Sequence, residues 1–121
     1  LSLAESQALA AHGQIELMSA WKKHLNKFSI PIGQILLTPR DTELKLSSKN
    51  AQQTVNKLLE VGCLPIINEN DTTATDEIKF GDNDLLASKV AKLIGADLLI
   101  ILSTVDGLYN FVGLDDTMIW N

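Results

Sequence analysis

Two short clusters of carboxylates and carboxamides carry most of the chemistry this sequence can offer: Asn68-Glu69-Asn70-Asp71 and Gly81-Asp82-Asn83-Asp84. The first closes an apolar run, Leu64-Pro65-Ile66-Ile67, and the second opens a segment of helical spacing. Brought together by the intervening chain, Asn68, Asn70, Asp71, Asp82, Asn83 and Asp84 would place several acceptors and amide donors around one small space. Carboxylates would take an ammonium group, while side-chain amides and the N–H groups of a helix start would take carboxylate oxygens, so the mixture suits a free amino acid. A plainer reading stands beside it: Asp82 to Asp84 cap a helix, where each acidic residue of the first turn contributes about 0.3–1 kcal/mol. Spacing alone leaves the two readings even.

Other chemistries find less support. His12 and His24 stand apart with no Cys or second His at ligand spacing, so no metal site is expected on them. Asp82-Asn83-Asp84-Leu85-Leu86 lacks the alternating oxygen ligands, the sixth-position Gly and the twelfth-position Glu of a calcium loop. A Walker loop and a Gly-rich dinucleotide fingerprint are both missing. The single cysteine, Cys63, lies in an apolar run and reads as a buried, inert thiol.

The elements that must position the two clusters follow from periodicity. Leu3 to about Leu25 places Ala11, Ile15, Met18 and Leu25 at three-and-four spacing and ends in Lys22, Lys23 and His24, which suit a helix dipole. Ser29 to Leu37 reads as a strand, with Pro31 at an edge, a bulge or its beginning. Thr38 to about Lys49 is polar, contains Pro39 and predicts an exposed, mobile connection. A second helix capped by Ser47 or Ser48 carries Ala51, Val55 and Leu58 on one face and stops at Gly62. The strand Leu64 to Ile67 follows.

A third helix begins in or just after Gly81 to Asp84, presents Leu86, Val90, Leu93 and Ile94, and leaves Ser88, Lys89 and Lys92 to water. Asp97 to Leu102 is nearly all apolar and predicts a strand covered on both faces, ending in the turn-rich segment Ser103 to Tyr109. Residues 111–121 take no assignment beyond an edge strand or a hairpin, with Trp120 reserved for packing. The alternation of strands and helices predicts an α/β fold, a three-layer α-β-α sandwich around a mostly parallel open sheet.

With 121 residues, 45% of them hydrophobic, the chain can bury one modest core and reads as one domain. Its net charge of −5 and scattered lysines argue against nucleic acid, whose phosphates need clustered Lys and Arg. The longest apolar run falls far short of the roughly 20 residues that span a bilayer, so the expectation is a cytoplasmic protein with no membrane partner.

The doubled motif also carries a resemblance. Ile66-Ile67-Asn68-Glu69-Asn70-Asp71, then Glu77-Ile78-Lys79-Phe80-Gly81-Asp82-Asn83-Asp84, then Ala96-Asp97-Leu98-Leu99-Ile100-Ile101-Leu102-Ser103 is similar to the glutamate 5-kinases of the amino acid kinase family. Likeness runs from about Leu3 to Tyr109 and includes Gly33-Gln34-Ile35-Leu36-Leu37-Thr38 and Asp106-Gly107-Leu108-Tyr109. Family members acting on carbamate, uridylate or acetylglutamate share the fold but not this pair of turns.

The resemblance implies the amino acid kinase fold, in part, and ATP-dependent phosphorylation of the L-glutamate γ-carboxylate to glutamyl 5-phosphate, the first step toward proline, with Mg2+ accompanying the nucleotide. It assigns glutamate binding to Asp71 and Asn83, with Asp82 assisting, an organising catalytic role to Asp84, and pocket shaping to Asn68 and Asn70. Ser103 and Thr104 match the family's adenine-nucleotide turn, although Thr104 stands where Asp is usual. The family's Gly-rich phosphate turn and first catalytic lysine would precede Leu1, and its second lysine would follow Tyr109, so the expectation is an internal, incomplete piece of one kinase domain. Lys45, Lys49 and Lys89 are expected to face solvent rather than replace those lysines. Assembly into a homo-oligomer is a family expectation, with Pro39 to Lys49 as a candidate contact. The alternatives are another amino acid kinase or a noncatalytic amino-acid-binding fragment.

Overall fold

The computed structural model describes residues 1–75, 79–105, 109–112 and 115–118. The chain begins with α1 (Leu3–Asn26), whose first turn is closed by a capping box in which Ser2 and Glu5 each satisfy the other's backbone N–H. Then come β1 (Ile32–Leu37), α2 (Pro39–Glu43), α3 (Lys45–Glu60), β2 (Leu64–Glu69) and α4 (Asn83–Ile94). Two short strands, β3 (Tyr109–Val112) and β4 (Asp115–Met118), follow as an antiparallel pair.

Strands β1 and β2 pair in parallel, from Ile32 opposite Leu64 to Leu37 opposite Glu69. Parallel neighbours need a crossover, and α2 with α3 provides it. Pro31 lies just before β1, where its carbonyl accepts the Leu64 N–H at 2.8 Å, so the residue that cannot donate still contributes an acceptor to the ladder.

Side chains alternate across a sheet, and that alternation sorts the layers. Ile35, Leu37 and Ile67 share one face with Ala51 of α3, Leu86 and Val90 of α4, and Phe80. On the opposite face Asn68 meets Gln14 of α1. The arrangement is helix, sheet, helix, as the α/β reading requires, with a core centred on Leu37, Phe80 and Leu86, each less than a tenth exposed.

Local sequence explains the helices. In α3 the stripe Ala51, Val55 and Leu58 turns inward as expected, with Val55 only 1% exposed. Gln52 donates from Nε2 to the Leu93 carbonyl at 2.8 Å, satisfying one of the orphan acceptors at the end of α4. Gly95 then ends α4 in the left-handed conformation, φ 65°, where a glycine carries no Cβ penalty.

Several expectations are corrected. Thr38 to Lys49 is not an open connection: Pro39 sits in the first turn of α2, and Asp41 accepts both the N–H (2.6 Å) and the hydroxyl (2.8 Å) of Thr38. The same proline that breaks a helix interior is preorganised for a helix start. Consequently α3 begins at Lys45, with Leu44 rather than Ser47 or Ser48 at the cap position. On α1 the half-buried stripe is Gln7, Ala10, Gln14, Met18 and Leu25, so Ala11 and Ile15 point outward. Met18 and Leu25 turn inward as expected, and Gln7 and Gln14 join them through polar partners.

The strand expected at Asp97 to Leu102 does not form. Leu98 and Leu102 are 75% and 93% exposed, and no backbone hydrogen bond joins the run to another described strand. An apolar run specifies the covering it needs, and β1, β2 and their helices do not extend over it. Cys63 is half-buried rather than buried. Of the segment left open between an edge strand and a hairpin, the described residues form antiparallel partners, Tyr109–Val112 with Asp115–Met118, while Glu77, Ile78, Asp106 to Leu108, Gly113, Leu114 and Trp120 lie outside the described residues.

Candidate functional site

The site grows from the carboxyl end of β2. Successive residues there point to opposite sides of the sheet. Asn68 faces α1 and donates from Nδ2 to Gln14 Oε1 at 3.3 Å, while its Oδ1 accepts the Glu69 N–H at 2.9 Å. Asn70 continues the ladder, its N–H reaching the Leu37 carbonyl at 2.8 Å. Its own carbonyl accepts the N–H groups of Thr73 (3.2 Å) and Ala74 (3.1 Å), and its side-chain oxygen accepts the Thr72 hydroxyl. One asparagine thus terminates the strand and starts the turn, a role for which Asn is suited by its ability to bond local backbone and side chains.

Helix α1 braces that turn a second time, through Gln7 Nε2 to the Ala74 carbonyl at 3.0 Å. Asp71 is exposed at the tip and lines a cavity of about 360 Å3 together with Ser6, Gln7, Thr75 and Lys79. The Thr75 hydroxyl and Gln14 Nε2 are buried there and close by on α1 without a partner among the described residues.

The second turn is a helix start. Gly81 adopts φ 93°, a region that disfavours any side chain, and reverses the chain after buried Phe80. Asp82 is the N-cap of α4: its Oδ1 accepts the Leu85 N–H at 2.7 Å. Asn83 and Asp84 occupy the first turn, exposed, and their side chains make no hydrogen bond among the described residues. Asn83 lines a second cavity, of about 400 Å3, whose walls include Ile67, Leu86, Val90, Leu98 and Leu99.

The two turns are joined by one bond across eleven residues: Glu69 Oε1 accepts the Phe80 N–H at 2.8 Å. The six predicted residues therefore lie at one end of the sheet, but Asp71 and Asn83 line different cavities. Both sequence readings of the second turn survive, divided by residue. Asp82 caps; Asn83 and Asp84 remain available. Ser103 and Thr104 are exposed beyond the apolar run that shares the Asn83 cavity, and Ser103 Oγ accepts the Val105 N–H at 3.4 Å.

Sequence reasoning gave no role to Glu69, Gln7 or Gln14, although the last two, seven residues apart on one helix face, are the polar members of an otherwise apolar stripe. Lys45 and Lys49 are exposed as expected, while Lys89 is partly buried and approaches Glu43 at 3.9 Å. Among the described residues no three His, Cys, Asp or Glu side chains converge as a metal-ligand set. No helix among the described residues is long and apolar enough to cross a membrane.

The family model described as the amino acid kinase family matches residues 1–118. The chain is 58% identical over 109 residues to a glutamate 5-kinase of Agrobacterium fabrum, covering 90% of this chain and 28% of that protein. It is 59% identical, with the same coverage, to a glutamate 5-kinase of Rhizobium etli, and 57% identical to glutamate 5-kinase 1 of Rhizobium meliloti. The chain spans 28% of the length of these relatives.

Proposed function

The chain belongs to the amino acid kinase family, and from that premise we propose that it contributes the acidic substrate site of an enzyme transferring the γ-phosphoryl group of ATP to the γ-carboxylate of L-glutamate. The observation that carries the reading is the joined pair of turns, with Asp71, Asn83 and Asp84 uncommitted at one end of the sheet. The similarity to proteins named glutamate 5-kinase supports the choice of acid.

In this reading an oxygen of the ionised γ-carboxylate attacks the γ-phosphorus, the bond to the ADP oxygen breaks, and ADP departs with that electron pair. A carboxylate is already a nucleophile, so no general base is required and positioning with charge stabilisation does most of the work. Asp71 takes the α-ammonium and the Asn83 amide holds a carboxylate oxygen. Asp84 organises cationic groups around the transferring phosphoryl. Asp82 assists by shaping the helix start, since its carboxylate is already engaged as a cap, and Asn68 and Asn70 shape the first turn.

Ser103 and Thr104 border the nucleotide, with Thr104 contributing through its backbone. The 121 residues form part of one amino acid kinase domain, working in the cytoplasm as a homo-oligomer. Exposed Leu44, between α2 and α3, and Leu46, in the first turn of α3, mark the contact to test.

The deciding experiment measures ADP release with Mg-ATP from the protein expressed from its complete reading frame. L-glutamate should support release, and aspartate, acetylglutamate and carbamate should not. Equal release with another acid would transfer the assignment to a different branch of the family. Binding of glutamate without ADP release would mark a noncatalytic module.

A further inference from the structure

We propose that Glu69 is a positioning residue for the substrate site, whose carboxylate sets the spacing and orientation between the turn bearing Asp71 and the helix start bearing Asn83 and Asp84. The inference rests on the glutamate kinase reading and assigns a role to a motif residue that the resemblance leaves without one.

Four observations carry it. Glu69 stands opposite Leu37 in the register, so its side chain leaves the sheet on the face where Phe80 and α4 are packed, while its neighbour Asn68 leaves on the α1 face. Its Oε1 accepts the Phe80 N–H at 2.8 Å, a charge-assisted bond of ordinary length that spans eleven residues. The amide it holds belongs to a residue that is 6% exposed and packed in the core with Leu37 and Leu86, so the carboxylate grips a rigid point. Only Gly81 separates that amide from the cap of α4, and its φ of 93° gives the connection one conformation that other residues rarely adopt. A displacement at Phe80 is therefore passed directly to Asp82, Asn83 and Asp84. The first turn has its own supports in Gln7, Gln14 and the Leu37 carbonyl, so loss of the Glu69 bond moves one half of the site relative to the other.

Side-chain length matters here as much as charge. Glutamine keeps an acceptor oxygen at the same reach, aspartate keeps the charge but falls one methylene short, and alanine removes the acceptor.

The test uses Glu69→Gln, Glu69→Asp and Glu69→Ala in the protein expressed from its complete reading frame, with KM for L-glutamate, KM for ATP, kcat and Tm measured for each. Glu69→Gln should keep KM for glutamate within about threefold of wild type. Glu69→Asp and Glu69→Ala should raise it by about tenfold or more while KM for ATP stays within about twofold, since misplacement of the order of 1 Å can cost a hundredfold in rate.

If Glu69→Ala does not fold, Glu69→Asp carries the comparison. An unchanged KM for glutamate in Glu69→Asp overturns the proposal, as does a rise in both KM values in step with a falling Tm, which would reduce Glu69 to a structural contact. A wild-type protein without glutamate-dependent turnover overturns the kinase reading and this inference together; an active wild type with an insensitive Glu69→Asp overturns only the inference.

Discussion

Around Asn68 to Asp71 hydrogen bonds run inward, to α1, to β1 and into the turn itself, and only Asp71 at the tip is left with a side chain uncommitted. Around Asp82 to Asp84 the proportion is reversed: Asp82 alone is engaged, and the next two side chains are exposed on the first turn of α4. The two turns use the same amide and carboxylate groups, yet one is held by its side chains and the other by its helix. This difference sorts residues that composition could not separate. In the proposed site the satisfied side chains would give the shape, and the three uncommitted ones are the groups proposed to engage the ligand.

The sharpest way to break that division is at Asp84. If it organises charge around the transferring phosphoryl, Asp84→Ala should lower kcat by about a hundredfold or more while KM for glutamate changes only a few-fold, as expected for a group acting in the transition state. A kcat within a few-fold of wild type, with Tm alone reduced, would return Asp84 to a helix-dipole role.

Asp82 and Asn83 provide the next contrast, because neighbours on one helix start should respond in opposite ways. Asp82→Ala should cost about 1 kcal/mol and lower Tm by several degrees, with Asp82→Asn restoring most of it. Asn83→Ala should leave Tm nearly unchanged and weaken glutamate binding by about tenfold, of the order expected for one buried hydrogen bond. Calorimetry and a binding titration on the same samples read both, and parallel effects would erase the distinction.

The smallest effect falls on the brace of the first turn alone. The Ser2 backbone N–H, and secondarily its hydroxyl, hold the exposed Glu5 carboxyl below its ordinary value. A depressed folded pKa stabilises above the unfolded value and ceases to do so as pH falls through the folded one. The start of α1 should therefore loosen slightly below about pH 4.5, seen as faster amide exchange at Glu5 and Ser6. Glu5→Gln should remove this acid dependence and leave α4 untouched.

Much of the frame was legible because it depends on local rules. The β2 run, the inward stripe of α3, the Asp82 cap and the stop of α3 at Gly62 each follow from patterning, capping or a missing Cβ, which the chain carries within a few residues. The start of α3 was misread because Pro39 looks like a breaker until Asp41 is seen to complete the Thr38 cap. Half of the α1 face was legible, in Met18 and Leu25, while Ala11 and Ile15 were misplaced because apolar periodicity is blind to Gln7 and Gln14, whose partners lie 67 and 54 residues away. Glu69 escaped for the same reason, since its partner amide belongs to a backbone group and backbone groups leave no mark in sequence. The strand expected at Asp97 to Leu102 was misread because an apolar run states what environment it requires, and periodicity does not say which neighbour supplies it.

That run has a consequence for how the polypeptide is made and kept. Leu98-Leu99-Ile100-Ile101-Leu102-Ser103 has strong strand preference, no charge and no proline, the composition of segments that stack into dry, in-register fibrils. Its exposed leucines and isoleucines make it the place where self-association of the chain would begin, so whatever covers it in the folded protein also guards against amyloid. Asp97 on one side and Asp106 on the other are the acidic gatekeepers that flank it.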